Sequence, residues 1–427
     1  MMLLILIYMQ SFMMPNRKSI IVLFFVSLVL VLWGCVGEHS TKTQAPEMVR
    51  ITGPWAAMTN ASMPRLFSDG SSIHATWVTT QGPVSTLYLS QYTAEQWTPA
   101  IAVHSGDNWF VNWADFPQVA ANDGHVVTTY LEKSSKATYA YDLRYNIFNA
   151  RTQTWHKGLK LHSDTTKTEH GFVSIRPYRK GFLAAWLDGR LTTSHHQGAM
   201  TIRARSISPD GTLGEEMLLD ERVCDCCQTA MTTDSIGHAM VAYRDRSLDE
   251  IRDISVVSML DSDKWSSPSV IGSDEWQIAG CPVNGPAMDR YANHTALVWF
   301  SAPENDPQVK IAFSDDDQGS FGPAFRLDSG NATGRVAVVM LNENEAAVLW
   351  MEPADADKVV LQLQKVSTSG RKSLMVTIAD TTADRASGFA QISLLHDQLY
   401  IAYTRAGKDS SMIQMVSLPV DTLLYEF

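Results

Sequence analysis

Phe182-Leu-Ala-Ala-Trp186 is a run of five apolar residues closed by a large aromatic, too short for a helix and of the right length for a buried strand. The pattern recurs at Ile73-His-Ala-Thr-Trp77, Val126-Val-Thr-Thr-Tyr130, Met240-Val-Ala-Tyr243, Ala296-Leu-Val-Trp299, Ala347-Val-Leu-Trp350 and Leu399-Tyr-Ile-Ala-Tyr403. Successive aromatics lie 53, 56, 57, 56, 51 and 53 residues apart, the mark of a repeat architecture. Another strand-like run precedes each copy, as in Pro117-Gln-Val-Ala-Ala121 and Pro286-Ala-Met-Asp289, and two more follow. Four strands per repeat with no helix-period segment of useful length predict an all-β fold, a seven-bladed β-propeller. Six blades plus an irregular element is the alternative.

The seventh repeat has strand patterns at 390–395, 399–404 and 412–418, and little chain is left for a fourth before Phe427. Met48-Val-Arg-Ile-Thr52 lies ahead of the first repeat and is expected to supply it, removing the open edge of the last sheet.

The chain has 427 residues, 45% of hydrophobic type and 19% charged, which excludes disordered, collagenous and coiled-coil classes. The formal charge is -11, and residues 1–34 carry only Arg17 and Lys18, so the remainder stands at -13. A surface that acidic repels nucleic acid, and no such partner is expected. A monomer is expected.

Arg17 and Lys18 open a short basic region, the apolar run Ile20 to Leu32 follows, and Leu32-Trp33-Gly34-Cys35 ends it. About 13 residues is short for a membrane-spanning helix. The stretch resembles a bacterial lipoprotein signal, which implies cleavage before Cys35, diacylation of that cysteine, and a membrane contact made by the lipid alone. Val36 follows the cysteine, so the expected address is the cell envelope, at the outer membrane. The expected organisation is a signal peptide at 1–34, a flexible tether at 35–47 and a propeller at 48–427.

An eight-residue turn recurs between third and fourth strands at Ser90 to Trp97, Ser258 to Trp265 and Ser314 to Phe321, with weaker copies at Phe148 to Trp155 and Ser206 to Leu213. Ser314-Asp-Asp316-Asp-Gln318-Gly-Ser320-Phe321 resembles the Asp-box of sialidase-like, or BNR-repeat, propellers, with Gln318 in place of Gly and Phe321 in place of Trp. Its job is local: Asp316 and Ser320 are expected to bond turn amides while the aromatic anchors between sheets. The resemblance covers most of the chain from Met48 onward and implies a propeller that binds a carbohydrate or small anionic ligand. In Ser62-Met63-Pro64-Arg65-Leu66, Ser62 stands where sialidases carry their first carboxylate-binding arginine. No position matches the family's Asp acid or Tyr-Glu pair, and a shared fold does not confer the chemistry.

Propeller wiring puts the interblade segments and the loops after second strands on one face, around the channel mouth. Candidate ligand-binding residues there are Trp109, Trp113, Asp115, Glu169, His170, Arg190, Arg244, Arg246, Arg252, Asn284 and Arg335. Arg190, Arg244, Arg246 and Arg335 arrive from successive blades and are able to surround an anion. Asp188, Asp245 and Glu250 are the candidate acids and bases for hydrolysis of a glycosidic bond. The competing account is a set of salt bridges tying blades together. Trp109 and Trp113 either stack on a sugar ring or pack between blades.

Four cysteines remain besides Cys35: Cys224, Cys226, Cys227 and Cys281. In an exported protein the expected pairing is Cys224 with Cys281 and a vicinal Cys226–Cys227 link, with no cofactor. The alternative is a thiolate site for a soft metal, copper as Cu(I), aided by Met231, Met288 or His170. Zinc suits the spacing less well. His195-His196 reads as an exposed pair or an added ligand. A third class is a non-catalytic interaction scaffold.

Overall fold

The aromatic that closes each repeat sits in the second strand of a sheet, and these rings are the core. Trp77, Trp186, Trp299 and Trp350 are wholly buried, and Tyr130, Tyr243 and Tyr403 nearly so. The computed structural model describes residues 46–427 apart from 193–197, 235, 261–263, 317–318, 356–357, 409, 426–427 and the side chain of Asp355. The signal segment, Cys35, the tether up to residue 45, Gln318 and the His195-His196 pair lie outside the described residues. Residues 46–427 form one unit.

Seven antiparallel sheets follow one another along the chain, six of four strands and the first of five. The extra strand in blade 1 is Ile101–Gly106, which pairs with Val84–Thr93 beside the short Gln96–Trp97. The innermost strands are Ala61–Ser68, Val119–Asn122, His170–Tyr178, Ala230–Thr233, Ala287–Tyr291, Gly334–Asn342 and Gln391–Leu395. Each packs on the next, and the last packs on the first, so the ring is closed with seven blades. Blade 7 is completed by Val49–Arg50, antiparallel to Ser411–Pro419. The Ile51 amide extends that pairing to the Met415 carbonyl at 2.9 Å. On Tyr141–Asn149 and Lys358–Ser367 side chains are buried on both faces, as expected of sheets packed between neighbouring blades.

In the described part of the Asp-box turn, Asp316 plays the expected role, while Ser320 contributes its amide. Asp316 Oδ1 accepts the amides of Gly319 at 2.9 Å and Ser320 at 3.1 Å, and Phe321 packs against the cluster around Trp299. No helix among the described residues is long and apolar enough to cross a membrane.

Candidate functional site

Three innermost strands begin with a bulge whose kinked residue has positive φ: Met63 in blade 1, Phe172 in blade 3 and Arg335 in blade 6. A bulge leaves an amide out of the ladder, and in each case a side chain from another blade accepts it. Asp115 Oδ1 takes the Phe172 amide at 2.7 Å, Asn284 Oδ1 the Arg335 amide at 2.7 Å, and Thr404 Oγ1 the Met63 amide at 3.2 Å. Glycine adjoins two of these bonds for want of space. A Cβ on Gly171 would lie 1.9 Å from Asp115 Oδ2, and one on Gly334 would lie 2.5 Å from Asn284 Oδ1.

The segment 107–116 lies over the channel mouth. Arg335 sits 4.7 Å above the Trp113 ring, and Phe389 stacks on Trp113 at 5.7 Å. Gln228 donates to the Ala114 carbonyl at 2.6 Å. Arg335 directs its guanidinium to the carbonyls of Ala383, Asp384 and Gly388. Trp109 is 7% exposed and stacks on Tyr130 at 4.9 Å, inside the packing between blades 1 and 2. Trp109 is therefore covered by protein, whereas Trp113 is half-buried.

The arginines expected to ring an anion each face other groups. Arg244 is 1% exposed and donates to the carbonyls of Asn284, Arg252 and Phe300, bracing blade 4 to blade 5. Arg190 forms a fork with Asp188, both bonds 2.7 Å, and reaches Glu216 at 2.7 Å. Asp188 also accepts the Trp186 indole at 3.0 Å and is completely buried. Burial would raise its pKa, but the Arg190 bonds and nearby His170 hold it below the ordinary carboxylate value. Glu352 takes the Trp350 indole at 2.9 Å in the same way, so this position is a structural device repeated across blades. Arg246 pairs with Glu250 at 2.6 Å and with Asp225 at 3.0 Å, and Arg252 pairs with Glu250 at 2.7 Å. Asp245 accepts from Ser255 at 2.9 Å and from the Arg246 amide at 2.6 Å, and burial raises its pKa.

Two carboxyls meet on one phenol. The Tyr141 hydroxyl is 3.2 Å from Asp115 Oδ2 and also bonds Glu169. One phenolic proton is shared between two carboxyls, an arrangement that favours retention of a further proton by the trio. Burial pushes Asp115 up to about 8 and Glu169 up to about 7, and Asp225 adds repulsion at Glu169.

The four thiols come together, as the ring geometry requires. Cys224, Cys226 and Cys227 have their sulfurs within 4.8 Å of one another. The structure departs from the expected pairing of Cys224 with Cys281 and Cys226 with Cys227, because all four are free thiols. Cys227, 2% exposed, turns inward to lie 3.2 Å from Cys224, whereas Cys226 engages Cys281 from the blade 5 approach. Bonds from Cys226 and Cys227, with Arg244 nearby, hold the Cys224 thiol well below its usual range, and Arg252 donates to its sulfur at 3.2 Å. The bond to Cys226 brings Cys281 down to about 7. The Cys226 and Cys227 thiols are pushed up, the former by those bonds and the latter by burial.

His170 is wholly buried, with Nδ1 3.1 Å from the Tyr141 carbonyl and Nε2 2.9 Å from Asp164. It stacks on His162, ring centroids 3.7 Å apart. Neither His162 nitrogen has a hydrogen-bond partner, although Asp142 Oδ1 is 3.4 Å from its Nε2. Burial and the neighbouring His170 push His162 down to about 2, so this ring is neutral. Asp142, His162 and His170 form a second set of converging ligand atoms. Met231 and Met288 line the axial cavity instead. Tyr141, Asp142, His162 and Asp164 carry no motif in the sequence: Tyr141-Asp142 reads as ordinary strand alternation, and only the fold places it beside His170.

The fold is thus a seven-bladed propeller whose channel face carries a thiol cluster beside a carboxyl pair with raised pKa values. Its fold is similar to that of the polysaccharide lyase Uly1, at a TM-score of 0.52 and 8% identity over 84% of this chain and 90% of that one. It is similar also to a protein of unknown function from Dyadobacter fermentans, at a TM-score of 0.50 and 11% identity over 88% and 98%. A Trypanosoma rangeli sialidase aligns at a TM-score of 0.42 and 11% identity over 70% and 54%. The sequence matches no family model and no curated protein.

Proposed function

We propose that this protein is an envelope-anchored propeller, lipid-modified at Cys35, that binds a thiophilic metal ion, Cu(I) foremost, through Cys224, Cys226, Cys227 and Cys281. The observation that carries the reading is the convergence of three sulfurs from one turn with a fourth from the next blade. Soft thiolates select Cu(I), and the spacing of Cys224, Cys226, Cys227 and Cys281 is not that of the two paired knuckles of a structural zinc site. Bound thiolates are anionic, and Arg252 and Arg246 stand at the turn to balance them. The test is an anaerobic titration of the reduced protein with Cu(I) against a chromophoric chelator. One equivalent per chain is expected, with loss of competition in Cys226→Ser and Cys281→Ser. A thiol count near zero in the unreduced protein, with no Cu(I) uptake after reduction, contradicts the reading.

A second reading is favoured by the carboxyl pair. Glu169 is half-buried, and with a pKa of about 7 it holds a proton near neutrality beside Tyr141 and Asp115. That is the state a general acid needs for glycosidic cleavage of a carbohydrate or an anionic sugar. Asp245, likewise raised, is better placed for such work than Asp188 or Glu250, which are ionised in ion pairs. Turnover on a panel of fluorogenic glycosides, abolished by Glu169→Gln, supports this reading, and no turnover across the panel removes it.

A further inference from the structure

Arg65 and Arg176 are half-buried, and drawing a guanidinium partly out of water without a carboxylate is costly, so a channel that holds two of them favours a counter-charge. Arg65, on the innermost strand of blade 1, and Arg176, on that of blade 3, both line an axial cavity of about 90 Å³, together with Gln118, Gln228 and Thr229. Arg65 donates to Gln391 and lies 5.3 Å over the Phe116 ring. Arg176 donates to the Ile175 carbonyl at 3.2 Å and lies 6.0 Å over Phe67. Among the described residues neither guanidinium is in ion-pair contact with a carboxylate. Asp289 is the acid that acts on Arg176, but it accepts the Met340 amide at 2.8 Å. Burial and repulsion from Arg176 bring Arg65 down to about 9, as expected of a cation lacking its counter-ion.

Phe116, the last residue of the segment 107–116, and Phe389 also line this cavity. Arg176 also lines a neighbouring pocket of about 500 Å³ with Arg179, Arg290, Asp234 and Asp289.

We propose that the central channel is an oxyanion site, in which Arg65 and Arg176 together hold one small inorganic oxyanion or carboxylate, with Gln118 as a further polar partner. The planar fork of arginine matches two oxygens of such an ion, which a halide cannot offer. A cavity of this size holds several waters, and so accommodates a tetrahedral oxyanion. The site is independent of the thiol cluster, and its test does not require that reading to hold.

The test uses the full chain in oxyanion-free buffer, with ionic strength held constant by chloride. Inorganic phosphate is titrated by calorimetry and thermal melting, with sulfate and acetate as parallel arms. One phosphate per chain and a concentration-dependent rise in Tm are expected. Acetate acting in place of phosphate assigns the site to carboxylates. Arg65→Lys keeps the charge without the fork and is expected to weaken phosphate binding by about tenfold or more. Arg176→Met is expected to abolish the response while still melting cooperatively in oxyanion-free buffer, since the half-buried guanidinium has no carboxylate in ion-pair contact. Should Arg176→Met fail to fold, Arg65→Lys alone decides. No response to any of the three anions overturns the proposal, as does a response unchanged in the arginine variants.

Discussion

Asp115, on the segment entering blade 2, accepts the main-chain amide of Phe172 in blade 3 at 2.7 Å, and Asn284 does the same for Arg335 three blades further round. A residue that looked like a ligand-binding candidate is thus the clasp of a bulge, and its second oxygen is what reaches the Tyr141 hydroxyl. Removing the acceptor leaves a buried amide unpaired, at a cost of about 1–3 kcal/mol. Asp115→Ala and Asn284→Ala are each expected to lose that much in denaturant unfolding. Asp115→Asn, which keeps an oxygen for the amide, is expected to lose much less.

The same carboxyl sets a pH dependence. Its pKa is raised to about 8 by burial, against about 3.9 in an unfolded chain. A raised folded value means that the stabilisation is complete below about pH 4 and is lost as the pH climbs through about 8. Wild-type Tm should decline from pH 6 to pH 9, and Asp115→Asn should decline less over that interval. An identical slope in both contradicts the assignment of a shared proton to the Asp115–Tyr141–Glu169 trio.

Arg244 offers a contrasting test, because its donors meet three carbonyls in the interior. Arg244→Met strands those acceptors and is expected to destabilise by about 3–5 kcal/mol, measured by chemical unfolding. Arg244→Lys should rescue little, since an ammonium cannot replace a planar fork.

The ring was legible because its signal is periodic: a buried aromatic every fifty-odd residues marks each second strand, and four strands per period leave few architectures. The gathering of Cys281 with Cys224, Cys226 and Cys227 followed from equivalent positions in adjacent blades. Their partners did not. Cys226 and Cys227 are neighbours in sequence, yet side chains one residue apart point in different directions, and one sulfur turns to the core while the other turns to blade 5. The arginines misled for a related reason. Arg244 and Arg335 arrive at the channel face on schedule, but only coordinates show that backbone carbonyls take up their donors. Arg65 and Arg176 drew no attention because each is a single basic residue within a strand, and their approach depends on closure of the ring.

Closure itself rests on two residues and one further bond, Val49–Arg50 with the Ile51 amide. A chain starting at Thr52 should present the bare edge of Ser411–Pro419. It is expected to melt lower than the chain starting at Met48 and to self-associate with rising concentration in sedimentation runs. Equal melting and a monomer at all concentrations would show that the strand does not hold the ring.

The account's central claim is that blades 4 and 5 share a single metal ion through four sulfurs. Copper K-edge X-ray absorption on the protein loaded with one equivalent of Cu(I) tests it most directly. The expected result is a first shell of sulfur alone, with nitrogen or oxygen replacing one scatterer or the copper lost altogether in Cys281→Ser. A shell of nitrogen and oxygen in the wild type, unchanged by Cys226→Ser and Cys281→Ser, would place the metal elsewhere and contradict the claim.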